Sequence, residues 1–126
     1  MAQGGGSGEL IVQTLPPTYA FTIDGKVTVR DLLTVPGKGP QVTGATGQVE
    51  VAPVGAAITA DVILVNRSDG STVATLGTLT IPAGSLEGSI VFGTPRFVPP
   101  TRALKVSVTQ IGSPGTEGSD LVILVS

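Results

Sequence analysis

From residue 9 onward the apolar residues fall in short runs with a period of two, and turn residues interrupt each run. Segment 102–109 is the clearest case. Leu104, Val106 and Val108 alternate with Lys105, Ser107 and Thr109, the signature of a strand with one buried face. Segment 57–65 predicts a longer strand, with Ile58, Ala60, Val62 and Leu64 on one face and Thr59, Asp61, Ile63 and Val65 on the other. Further short strands are expected at 10–14, 19–23, 26–29, 72–76, 78–81, 89–92 and 121–125. In these, Leu79 and Ile81 point inward, and Ile90 pairs with Phe92 on one face. Leu121 to Val125 is apolar on both faces, which suits a central strand or one covered by a second chain.

The punctuation agrees with this reading. Asp24-Gly25 between two apolar runs predicts a two-residue hairpin, because Asp and Gly tolerate the positive φ of such turns. Arg67-Ser68-Asp69-Gly70 predicts another reversal. Helical periodicity is confined to a weak match at 29–33. The class is all-β: a single antiparallel β-sandwich of jelly-roll or immunoglobulin-like type over 18–126, with an extended N-terminal arm over 1–17. The arm opens Gly-rich and holds the apolar run 10–14 before Pro16-Pro17.

Composition then removes function classes. Without Cys or His there is no ordinary zinc site, no thiol nucleophile and no imidazole base. A net charge of −2 with seven basic residues gives no phosphate-binding surface of any size, so no nucleic-acid partner is expected. The N-terminus has neither the basic nor the apolar region of a signal peptide. The longest charge-free stretch, 70–86, is too broken by Ser, Thr, Gly and Pro to span a membrane.

The carboxylates offer no catalytic pair at this level. Asp24 and Asp69 precede Gly and read as turn residues. Asp61 lies inside a strand, where it faces solvent, pairs with Arg67 or Lys105, or meets a neighbouring subunit. Gly37-Lys38-Gly39-Pro40 lacks the remaining features of a dinucleotide fingerprint, and Asn66-Arg67-Ser68 matches the glycan acceptor pattern by coincidence. No catalytic, cofactor-binding or metal-ligating residue is assigned, and no cofactor is expected. Two Pro-rich segments, 35–40 and 97–102, read as extended loops suited to contacts between subunits or to plain connections.

An ordered set of short segments carries a resemblance. Ala52-Pro53-Val54-Gly55-Ala56, Ala60-Asp61-Val62 and the turn Asn66-Arg67-Ser68-Asp69-Gly70-Ser71-Thr72 come first. Ile81-Pro82-Ala83-Gly84, Val106-Ser107-Val108-Thr109-Gln110-Ile111-Gly112-Ser113 and Gly118-Ser119-Asp120-Leu121-Val122 follow. Together they resemble a small β-module of tailed-bacteriophage virion structural proteins over most of 19–126. Val54, where Thr is common, and Leu64-Val65-Asn66 before the turn depart from the pattern.

The resemblance implies a non-enzymatic structural subunit of the virion, a capsid decoration (cement) protein or a tail-associated module, often a homotrimer. Its partners would be the major capsid protein or other virion subunits, and it brings no catalytic residue. The alternative is a tail-fibre or receptor-recognition module for host surface glycans. That reading needs exposed aromatics, and the chain offers Tyr19, Phe21, Phe92 and Phe97. A low charge of 13%, about half the usual share, fits a surface partly covered by other subunits.

Overall fold

A computed structural model describes residues 18–126; the arm expected over 1–17, with its apolar run 10–14, lies outside the described residues. Nine strands follow: β1 (Tyr19–Lys26), β2 (Arg30–Asp31), β3 (Val35–Pro36), β4 (Gly39–Gln48), β5 (Ile58–Asn66), β6 (Thr72–Ile81), β7 (Glu87–Val98), β8 (Arg102–Gln110) and β9 (Ser119–Val125). All paired strands run antiparallel. Among the described residues there is no helix, and so none long and apolar enough to cross a membrane. The weak helical match at 29–33 is instead occupied by β2 and the start of its connection to β3.

The pairing is that of one long ribbon folded on itself. β1 pairs with β9, β2 and β3 with β8, β4 with β7, and β5 with β6, so the two halves of the chain meet in reverse order. The tip of the ribbon is the turn after Asn66, where Gly70 N–H donates to Asn66 O at 2.8 Å and Asp69 Oδ1 accepts from Ser71 N–H at 2.9 Å. Rolling the ribbon adds the pairs β4·β9 and β5·β8. Two sheets result, β1-β9-β4-β7 and β2-β8-β5-β6, with β3 also on β8. Of the two sandwich types expected, this is the jelly-roll order.

The inner faces make one core. Tyr19, Phe21, Ile23, Leu121, Ile123 and Val125 meet Ile58, Val62, Leu64, Leu79, Ile81, Leu104, Val106 and Val108, all at most 3% exposed. The alternations expected for β5 and β8 hold over 58–64 and 104–109, although Val65, expected on the polar face of β5, is buried as well. Leu79 and Ile81 point inward. β9 is a central strand between β1 and β4. Its Leu121, Ile123 and Val125 face the core, while Val122 and Leu124 on its other face stay exposed, so a central position does not account for the outer half of its apolar run.

Four local expectations need correction. Asp24-Gly25 forms no hairpin, because β1 takes β9 as its partner and buries Tyr19, Phe21 and Ile23 beside Leu121, Ile123 and Val125. The two residues form a bulge within β1 instead, Lys26 rejoins the ladder opposite Ser119, and 27–29, expected as the hairpin's second arm, is not a strand. Segments 72–76 and 78–81 are one strand, continuous through Gly77. There a Cβ would come within 3.1 Å of Ile90 Cδ1 and Phe92 Cδ1. The Pro-rich segments are not free loops. Segment 35–40 contains β3 and the start of β4, Phe97 and Val98 belong to β7, and Arg102 opens β8. They pack on one another: Gly37 N–H donates to Arg102 O at 2.8 Å, and a Cβ at Gly37 would overlap the Val98 and Pro99 carbonyl oxygens. Finally, β4 has no counterpart among the expected strands.

The two long sides of the sandwich differ. Along one, β6 and β7 run so close that a Cβ at Gly88 would overlap the Thr80 carbonyl oxygen. The other side, between β1 and β2–β3, is open.

Candidate functional site

The outer faces of the two sheets differ in chemistry. On the β2-β8-β5-β6 sheet, register places Asp31, Ser107, Asp61 and Thr78 in one row across four strands. Ser107 Oγ donates to Asp31 Oδ1 at 2.6 Å, and Thr78 Oγ1 donates to Asp61 Oδ1 at 2.7 Å. Lys105 Nζ lies 3.5 Å from Asp31 Oδ2. The Ser107 hydrogen bond, then the Lys105 charge, hold the Asp31 carboxyl below its ordinary range. A second row pairs the Thr59 and Thr109 hydroxyls at 2.8 Å. Asp61 is therefore a cross-strand acceptor, and Lys105 takes Asp31 rather than Asp61 as its ionic partner.

Asp69, Asp120 and Glu117 instead serve the backbone. Asp69 closes the ribbon tip through Ser71, whose backbone N–H and hydroxyl hold its carboxyl low. Asp24 sits in the β1 bulge rather than in a hairpin turn. The bulge is completed from β9, where Asp120 Oδ1 accepts Gly25 N–H at 2.7 Å. Asp120 holds φ at 57° to do so, a left-handed conformation that Asp tolerates better than most residues. Glu117, nearly buried, accepts Gly115 N–H at 2.9 Å and meets Lys26 Nζ at 3.3 Å. Its carboxyl is held low, first by that backbone bond. Asn66 Nδ2 donates to Ser71 Oγ at 3.1 Å, so the acceptor-pattern asparagine is part of the same turn. Among the described residues no group of three potential metal ligands converges.

The outer face of the β1-β9-β4-β7 sheet is uncharged across its middle, its acidic residues Asp24, Asp120 and Glu87 standing towards one end. Two rows run straight across it: Ala20, Leu124, Thr46 and Ser89, then Thr22, Val122, Gln48 and Glu87. Of these eight residues only Glu87, on an edge strand, is charged. Leu124 and Val122 stand at the centre, 39% and 38% exposed. Val91, opposite Gly44, and Phe97, opposite Gln41, extend the apolar surface along β7 at 84% and 64% exposure. Phe97 is thus the exposed aromatic, whereas Tyr19, Phe21 and Phe92 are in the core.

This face was hidden in the sequence because one of its four strands is β4. Gly44, Gly47 and a shift in register between Val42 and Gly44 break the apolar spacing there. The usable signal was the inward series Ala45, Gly47 and Val49, with Thr46 and Gln48 between. A second surface feature is a cleft of about 400 Å³ on the open side of the sandwich, lined by Ala20, Thr22, Leu32, Leu33 and Val35 among others. Leu33 stands 91% exposed on the excursion between β2 and β3. Comparisons with protein-family models and with curated proteins found no match to this chain.

Proposed function

We propose that this chain is a structural subunit of a bacteriophage particle, a capsid decoration protein that stabilises the shell through contacts with neighbouring subunits. The observation that carries the reading is the uncharged middle of the outer face of the β1-β9-β4-β7 sheet, with Leu124 and Val122 at its centre and Val91 and Phe97 beside them. A strand face held in a sheet needs little reorganisation to be covered. Stable interfaces remove roughly 800 Å² from each partner, and apolar area contributes about 25 cal/mol per Å² before the cost of association. The partners are the major capsid protein or other virion subunits, with a homotrimer as the assembly unit. The jelly roll is a fold used in viral capsids and also in lectins, so fold alone does not choose between these roles. Burial of three of the four aromatics weighs against the glycan-binding alternative.

The test is co-assembly. Particles made with this chain should carry it stoichiometrically, and particles made without it should lose their shell at lower temperature. Absence from purified particles, together with binding to a glycan array, would replace this reading with the receptor-recognition one.

A further inference from the structure

We infer that the apolar segment 10–15 of one copy adds as a strand to the free edge of β1 in a second copy. This deepens the subunit reading by naming a contact between copies, and it rests on that reading only in requiring that copies meet. Among the described residues β1 pairs with β9 alone, and no other described strand takes its second edge. That edge borders the cleft on the open side of the sandwich, whose lining includes Ala20, Leu32, Leu33 and Val35. The cleft is closed by neither sheet, and Leu33 is left 91% exposed beside it.

The occupant follows from the chain just before β1. Leu10-Ile11-Val12-Gln13-Thr14-Leu15 is uncharged and β-prone. Six residues of strand span about 20 Å, enough to cover β1 from Tyr19 to its bulge at Asp24-Gly25. Added strands of this kind gain affinity from main-chain hydrogen bonds and specificity from alternate side chains.

Pro16-Pro17 directs the segment to a second copy rather than back onto its own β1. A two-residue reversal at 16–17 needs positive φ at its first central residue, whereas Pro is fixed near −65° and holds the residue before it extended. The point of departure is also anchored. Lys38 Nζ donates to Thr18 O at 2.8 Å, and Lys38 N–H donates to the Tyr19 hydroxyl at 2.8 Å. The chain thus enters β1 at a fixed corner.

The experiment is the solution mass of the purified full chain by light scattering, with circular dichroism to confirm the β fold of each variant. The wild-type chain is expected to be oligomeric. Val12→Asp in the arm and Leu33→Asp at the cleft should each reduce the mass to that of a monomer. Replacing Pro16→Asn together with Pro17→Gly supplies a hairpin turn, so the arm should close on its own β1 and again give a monomer. A monomeric wild-type chain, or an oligomer that survives these folded variants, overturns the inference. Oligomers that dissolve as expected but never enter particles would leave the arm exchange standing and remove the virion reading.

Discussion

At Asp120 a side chain stands in for the backbone of its own strand. Its carboxylate takes the place of a ladder carbonyl for Gly25 N–H, at 2.7 Å, while its own backbone is left-handed. Asp120→Ala removes the acceptor and places a residue poorly suited to positive φ, so a loss of about 1–2 kcal/mol is expected in urea unfolding. Asp120→Asn keeps both the acceptor and the conformational tolerance and should stay close to wild type. Glu117 gives the pH dependence. Its folded carboxyl titrates below the ordinary value of 4.5 because of Gly115 N–H and Lys26, so its contribution is fully present above that value. The contribution is lost as pH falls through the lower folded value. Asp31 and Asp69, also held low, act in the same direction below 3.8. Melting temperature should therefore be flat from neutral pH to about 5 and fall below about 4.5, and Glu117→Gln should make the upper part of that fall shallower. The role of Asp120 is not visible in spacing, since it serves a residue 95 positions away.

Between elements, the closest approaches are set by glycine. Gly88 lets β7 lie against the backbone of β6, and a Cβ there would overlap the Thr80 carbonyl oxygen. Gly88→Ala should cost about 1–3 kcal/mol by the usual penalty for overpacking, and a drop in the chemical midpoint measures it. Strands with a long period of two, such as β5 and β8, were legible because each buries one face along most of its length. The Asp24-Gly25 hairpin misled because its chemistry also suits a bulge, and only the distant β9 decides between them. In β4 the bulge near Thr43 puts Val42 and Ala45 on the same buried side three residues apart. A strict alternation cannot register that strand, and with it went the outer face to which it contributes Thr46 and Gln48.

For the whole molecule, the question is which of two chemically different faces meets a neighbour. The β2-β8-β5-β6 sheet satisfies its polar groups within itself through Asp31, Lys105, Ser107, Asp61 and Thr78, and so remains well hydrated without a partner. The opposite sheet leaves Leu124 and Val122 partly exposed on central β9 with small neutral neighbours. Leu124→Lys places a charge at the middle of that face. Because the side chain is already 39% exposed, the cost to the isolated domain should stay within about 1 kcal/mol. Incorporation into particles should nevertheless fall at least tenfold, since an unpaired charge buried in an interface costs several kcal/mol. Thr80→Lys, on the exposed polar face, is the matched control and should incorporate normally. Quantitative gels of purified particles read both variants, and full incorporation of Leu124→Lys with exclusion of Thr80→Lys would assign the contact to the polar sheet instead.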